Sequence, residues 1–203
     1  MFSPRRCAHA LNLLINNRQY FIARIKVILD QPMRPNDPWL TRDAITFLQA
    51  YLREDMVGFE FGSGRSTSWF ARRVSRLISV EDNPVWYRRV KQDLSCLKVD
   101  YRYISTNAGC ITYVNQLLSF SDASFDFIVI DGSCRDACIS VAARKVKPGG
   151  VIVLDNADER RDVSPLSTFE RHSTHNGIWQ TDIYVRASPT EDGQQIAATS
   201  DVM

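Results

Sequence analysis

Apolar and polar positions along the chain alternate between two periods, one near 3.6 residues and one of short continuous runs. From Ala8 to Leu29 the residues Leu11, Leu14, Ile15, Phe21, Ile22, Ile25, Ile28 and Leu29 follow helical spacing, with Asn12, Asn16, Arg18, Arg24 and Lys26 between them. This predicts a basic amphipathic helix. Such a helix can pack on the core, join a homodimer, or lie on a membrane surface, and packing against protein is the expectation. Pro32, Pro35 and Pro38 then break the pattern and mark a linker. A second helix is predicted from Thr41 to Leu52, with Thr41 as its cap and Ile45, Leu48 and Leu52 on one face.

Beyond it, short apolar runs alternate with helical stripes. Val57–Phe61, Leu77–Val80, Val99–Ile104, Phe125–Ile130 and Val151–Leu154 read as strands. Phe125–Ile130 is almost wholly apolar, as in a parallel strand covered on both faces. Between these runs, Phe70, Val74 and Leu77 share one helical face. Asn83 caps a helix with Pro84 in its first turn and a stripe of Trp86, Val90, Leu94 and Leu97. Arg135–Val146 carries Cys138, Val141, Ala142 and Lys145 in register, and Lys147-Pro148-Gly149-Gly150 reads as a turn. Trp179–Arg186 alternates and is expected as an antiparallel edge strand. The pattern therefore predicts an α/β fold, a Rossmann-like, mostly parallel, doubly wound sheet with helices on both faces. It divides the chain into an N-terminal helix and linker (1–37), a main domain (38–186) and a polar tail (187–203).

Composition narrows this only slightly. The 203 residues are 44% hydrophobic and 24% charged, with a formal net charge of +2, so no specific nucleic-acid partner is expected. The first forty residues are more basic, with Arg5, Arg6, Arg18, Arg24, Lys26 and Arg34 against Asp30 and Asp37. The five cysteines, Cys7, Cys96, Cys110, Cys134 and Cys138, form no Cys-x-x-Cys pair. They are expected as reduced thiols in a cytoplasmic protein. No apolar run is long enough to span a bilayer.

The candidate chemistry lies at the strand ends. Glu60 is next to last in the first strand, Glu81 closes the second, Asp131 follows the fourth, and Asp155-Asn156 follow the fifth. In an open parallel sheet these ends share one edge, where ligands bind. Within Glu60-Phe61-Gly62-Ser63-Gly64, the two glycines permit a tight turn and close backbone approach to a ligand. The helix starting near Ser66 favours an anion at its N-terminus. Glu81, 21 residues after Glu60, stands where a carboxylate can accept ribose hydroxyls. Two ligands fit this pattern, a nicotinamide dinucleotide or S-adenosylmethionine. Thr67 in place of the third glycine of the dinucleotide pattern favours the second. So does Glu60, which repels a pyrophosphate but can pair with an ammonium.

Glu60-Phe61-Gly62-Ser63-Gly64-Arg65-Ser66-Thr67 resembles motif I of the class I methyltransferases. Glu81 resembles their ribose-binding acid. Phe125–Gly132 resembles their fourth-strand motif, and Lys147–Asp155 their turn and fifth strand. The likeness runs from about Pro38 to Asn156, departs from the family at Ser66, where the third glycine of motif I usually stands, and is nearest to the branch containing small O-methyltransferases. It implies S-adenosylmethionine held by Glu60, Gly62, Ser63, Gly64, Ser66, Glu81 and Asp131. It also implies methyl transfer to a small-molecule acceptor, expected at oxygen.

Asp131, Asp155 and Asn156 also match the metal ligands of the catechol-type enzymes, which implies Mg2+ or another hard divalent ion there. The alternative is that Asp131 contacts cofactor and Asp155-Asn156 caps a loop. Cys134 stands where those enzymes carry a catalytic lysine. Asp131, His172 and His175 are the remaining acid–base candidates. Against the enzyme reading stands a scaffold that keeps the fold and binds cofactor without turnover.

Overall fold

The computed structural model describes residues 33–188, together with Ile22, Arg24, Ile25, Val27 and Leu29. Those five positions are helical; the rest of the N-terminal helix expected from Ala8 to Leu29, and the tail beyond Ser188, lie outside the described residues. In chain order the elements are α1 (Arg42–Tyr51), β1 (Val57–Phe61), α2 (Arg65–Ala71), β2 (Arg76–Glu81), α3 (Pro84–Asp93), β3 (Val99–Tyr103), α4 (Ile111–Leu118), β4 (Phe125–Ile130), α5 (Arg135–Lys145), β5 (Val146–Asp155), a 3-10 turn (Ser164–Leu166), β6 (Glu170–His175) and β7 (Gln180–Val185).

The seven strands form one sheet in the order β3-β2-β1-β4-β5-β7-β6. The first five run parallel, and β7 and β6 run antiparallel to their neighbours. The chain reverses its strand order between β1 and β4, which opens a crevice at the carboxyl ends of those strands.

Alternate residues of the central strands face opposite layers. Phe59, Phe61, Ile78, Val80, Ile128 and Ile130 pack with Tyr113, Val114 and Leu117 of α4 and with Cys138, Ile139 and Ala142 of α5. Leu77, Phe127, Val129, Val151 and Val153 pack with Ala44, Ile45 and Leu48 of α1 and Trp69 and Phe70 of α2. Gly58 belongs to the second face. A Cβ there would lie 2.0 Å from Phe127 Cζ, so the ring fills the room the glycine leaves.

Several sequence expectations change in detail. The helix after the glycine loop ends at Ala71, because Arg73–Ser75 turn the chain back into β2. Asn83 caps α3 as expected, accepting from Val85 N and Trp86 N at 2.9 and 3.0 Å. Thr41 sits at the N-cap of α1 but makes no side-chain cap bond there. Its hydroxyl instead meets Thr174 Oγ1, and its backbone N donates to Thr181 Oγ1 at 3.2 Å.

Helix α4 has no counterpart in the sequence reading. It is two turns long and lacks a side-chain cap, so its apolar residues give too short a period to recognise. The strand read at Trp179–Arg186 appears as β7, but it is not the edge. Glu170–His175 pairs along its outer side as β6. This outermost strand is polar on both faces, which conceals it from a hydrophobic pattern. Lys147–Gly150 does not separate two elements; it bulges within β5, between the pairs Phe125–Val146 and Phe127–Val151.

The cysteine expectation is corrected. Cys110 and Cys134 form a disulfide with their Cα atoms 5.8 Å apart, while Cys96 and Cys138 are free. The two residues precede α4 and α5, which pack side by side on the same face of the sheet. Among the described residues, no helix is long and apolar enough to cross a membrane.

Candidate active site

The carboxyl ends of β1, β2 and β4 converge on a cleft of about 440 Å3 whose walls include Gly62, Ser63, Glu81, Asp82, Trp86, Asp131, Gly132 and Ser133. Backbone contacts set its floor. Gly62 N donates to Val80 O at 2.9 Å, and Asp131 N donates to Phe61 O at 2.8 Å. Gly62 has a φ of 83° and a Cβ on it would stand 2.5 Å from Gly132 N. Only glycine allows the loops after β1 and β4 to approach this closely.

Glu60 is buried with 0% exposure. Oε1 accepts from Ser66 Oγ, and Oε2 accepts from Thr67 Oγ1 and Ser79 Oγ, each at 2.6 Å. Burial pushes its pKa up to about 7, against the pull of those three hydroxyls. Thr67 Oγ1 also accepts from Gly64 N at 2.9 Å. Ser66 and Thr67 stand where related patterns carry glycine, and here they solvate a buried carboxyl. Glu60, expected to pair with a ligand ammonium, has its carboxyl buried beneath the loop, where the three hydroxyls hold it. Ser66 is buried with it and does not cap α2, whose N-cap is Gly64.

Glu81 reaches the cleft from the end of β2. Oε2 accepts from Ser63 N and Ser63 Oγ at 2.9 and 3.0 Å, and Oε1 accepts from Asn83 N at 2.8 Å. Ser63 is further held by Tyr101, with 2.6 Å between their hydroxyls, and its carbonyl accepts from Trp86 Nε1 at 2.6 Å. Asp82 Oδ2 accepts from Thr106 Oγ1 and Ser133 Oγ, both at 2.8 Å, and so clasps the loops after β3 and β4. The sequence reading missed Asp82, Trp86, Gly132 and Ser133 as cleft residues. Adjacency to Glu81 and Asp131 was the available signal for three of them. Trp86 carried none, because its helical stripe reads equally as core.

Asp131 and Asp155 stand at neighbouring strand ends, and burial raises the proton affinity of both. The negative charge of Asp155 adds to the effect at Asp131, and Arg135 opposes it. The residues here do not fit a divalent ion. The Arg135 guanidinium donates from Nη2 to Asp131 Oδ1 at 3.1 Å and to Asn156 Oδ1 at 3.4 Å, and from Nη1 to the Asp155 carbonyl. Asp155 Oδ1 accepts from Thr181 Oγ1 at 2.9 Å. Arg135 thus supplies the positive charge between the oxygens expected to bind metal. Among the described residues, no group of three or more His, Cys, Asp or Glu side chains gathers as a metal site.

The histidines lie elsewhere. His172 is on the outermost strand, paired with Ile183, and its ring meets Phe47 at 5.5 Å between centroids and Glu170 at 3.3 Å. Ile183 in turn pairs with Val153, two residues before the end of β5. His175 is at the rim, where its Nδ1 accepts from Gly177 N at 2.9 Å in the β6–β7 turn. Neither borders the cleft.

Residues 57–154 match the family model described as the methyltransferase domain. No curated protein matches the sequence. Among solved structures, the fold is similar to a methyltransferase-like protein from Silicibacter pomeroyi, with 17% identity, a TM-score of 0.57, and coverage of 77% of this chain and 92% of that one. It is also similar to precorrin-6y C5,15-methyltransferase from Geobacter metallireducens, with 18% identity, a TM-score of 0.54, and coverage of 74% of this chain and 93% of that one.

Proposed function

We propose that this chain, whose residues 57–154 match the methyltransferase domain model, uses S-adenosylmethionine to methylate a small-molecule acceptor at oxygen. The observation that carries the reading is the cleft where Gly62, Ser63, Glu81 and Asp131 meet at three strand ends. S-adenosylmethionine, when bound, supplies a sulfonium methyl group that passes to an acceptor oxygen, with the S–C electron pair returning to sulphur and the hydroxyl proton leaving.

The chain's own residues prepare that step. Glu81 offers the ribose hydroxyls a carboxylate in exchange for its present bonds to Ser63. Gly62 and Ser63 bring backbone close to the methionine portion. Glu60, with Ser66, Thr67 and Ser79, keeps the loop in one shape, so that little ordering is left to binding. Asp131 is the most exposed of the four strand-end carboxyls, with 36% of its side chain open, and it is the group proposed to receive the acceptor's proton. Arg135 is a positioning residue that ties Asp131 to the β5 end. Catalysis rests mainly on alignment of acceptor and methyl group, and no step here uses a metal ion.

The test is calorimetry of S-adenosylhomocysteine and NAD with the purified chain, followed by a labelled-methyl screen of phenols, carboxylates and amines. Binding of S-adenosylhomocysteine with transfer to oxygen acceptors is expected. Binding of NAD alone overturns the reading. Cofactor binding without transfer to any acceptor class assigns the chain to the scaffold reading instead.

A further inference from the structure

Glu81 is the carboxylate proposed for the ribose, yet most of its accepting capacity is already used. An ionised carboxylate offers about four acceptor positions. Asn83 N takes one on Oε1 at 2.8 Å, while Ser63 N and Ser63 Oγ take both on Oε2 at 2.9 and 3.0 Å. A ribose that donates both of its hydroxyls to Glu81 must therefore displace one of these donors.

The three donors are not equally movable. Asn83 N is held by the turn into α3, where the Asn83 side chain caps Val85 N and Trp86 N. Ser63 N is held with its backbone: the Ser63 carbonyl accepts from Trp86 Nε1 at 2.6 Å, and the preceding Gly62 N donates to Val80 O at 2.9 Å. Ser63 Oγ, in contrast, turns about a single bond.

That hydroxyl also has a second partner, the Tyr101 hydroxyl at 2.6 Å. Tyr101 lies on β3, paired with Ser79 of β2. Its ring stacks on Tyr87, with centroids 4.6 Å apart and planes at 26°, so the phenol oxygen is held in place. Burial pushes the Tyr101 pKa up, so the phenol keeps its proton and can either donate or accept. While Ser63 Oγ donates to Glu81, Tyr101 donates to Ser63. When Ser63 Oγ turns away from Glu81, the direction reverses and Tyr101 accepts from it. Without Tyr101, the displaced hydroxyl would lose its acceptor, which is costly at a half-buried position.

We propose that the Ser63 hydroxyl holds the position on Glu81 that a ribose hydroxyl requires, and that Tyr101 is the positioning residue that receives the displaced hydroxyl. The inference rests on the methyl-transfer reading above, and it gives the two side chains opposite effects on affinity. Ser63 competes with the ligand, and Tyr101 relieves the competition.

The probes are S-adenosylhomocysteine and its 2′,3′-dideoxy analogue, titrated by calorimetry into the full chain and its variants. Ser63→Ala should tighten S-adenosylhomocysteine by about fivefold, because no donor has to leave. Tyr101→Phe keeps the ring and should weaken it by about fivefold. In the Ser63→Ala background, Tyr101→Phe should change the affinity by less than about twofold, since there is no hydroxyl left to receive. The dideoxy analogue should respond to none of these substitutions. A Ser63→Ala variant that binds S-adenosylhomocysteine no tighter than the native chain overturns the proposal, since the hydroxyl then only shapes Glu81. So do additive effects of the two substitutions, or an equal gain with the dideoxy analogue. Loss of the native circular dichroism in Tyr101→Phe overturns the role given to Tyr101 and leaves the two ligands on Ser63→Ala to decide the exchange. If the native chain binds S-adenosylhomocysteine and Ser63→Ala brings no gain, this inference falls alone. If the native chain does not bind it, the methyl-transfer reading falls first and takes the inference with it.

Discussion

Replacing Glu60 with glutamine should change how stability depends on pH, and the structure sets the size of the effect. The carboxyl is fully buried, and its pKa is pushed from 4.5 to about 7 by loss of water. The folded protein therefore binds this proton more tightly than the unfolded chain does. The advantage is fully present below about pH 4.5 and is lost as the pH rises through about 7. A shift of roughly 2.5 units, at about 1.36 kcal/mol each, corresponds to a cost on the order of 3 kcal/mol above pH 7. Glu60→Gln stays neutral throughout. The Ser66, Thr67 and Ser79 hydroxyls can rotate to meet either end of an amide. Thermal unfolding followed by circular dichroism at pH 5, 6, 7 and 8 should show the variant gaining on the native chain as pH rises. At about 2–4 °C per kcal/mol for a chain of this size, the gain in Tm across that range is about 6–12 °C. Asp131 and Asp155 carry shifts of the same direction, and the Glu60 charge is one of the causes that raise Asp131, so Glu60→Gln also eases the ionisation of Asp131 and adds to the gain at high pH. Parallel pH profiles for the two proteins would refute the claim that Glu60 is a buried, strained carboxyl.

Four further outcomes are expected. Glu81→Ala removes the carboxylate proposed for the ribose and should weaken S-adenosylhomocysteine by about 1.5–3 kcal/mol, roughly ten- to hundredfold, in calorimetry; an unchanged affinity places the ribose elsewhere. Gly132→Ala puts a Cβ 2.3 Å from the Tyr113 hydroxyl and 2.7 Å from Gly62 N, so its Tm should fall sharply, and a native-like Tm would mean the two loops do not touch. Turnover should be the same in EDTA as in magnesium, because Arg135 fills the place between Asp131 and Asn156; activity lost to EDTA and restored by magnesium contradicts that geometry. Cys110→Ser opens a cross-link spanning 24 residues and should cost about 3 kcal/mol by loop entropy, read as a lower Tm than the native chain under non-reducing conditions; identical Tm values would show that the bridge does not form.

Much of the architecture could be read from one dimension. The apolar runs at Val57–Phe61 and Phe125–Ile130 are buried on both faces, and Asn83-Pro84 starts a helix through purely local chemistry. Period and capping are properties of neighbouring residues, so they survive without a fold. The clustering of Glu60, Glu81, Asp131 and Asp155 on one edge was also available, because parallel topology forces all those strand ends to the same side.

What each of those carboxyls does was decided only by packing. Glu60 and Glu81 look alike in sequence, yet one is sealed beneath a loop by Ser66, Thr67 and Ser79 while the other faces the cleft. The side chains that separate them come from two different segments, α2 and β2. Asp131, Asp155 and Asn156 have the composition of a metal site, but a guanidinium from the next helix turn stands between them. Cys110 and Cys134 are 24 residues apart, and only the side-by-side packing of α4 and α5 brings them into bonding range. The polar strand β6 likewise exists because β7 offers it an edge to pair with. Local pattern fixes which segments become helix or strand, since its terms are short-ranged. The state of a buried charge depends on what fills the space around it, and that space is closed by residues distant along the chain.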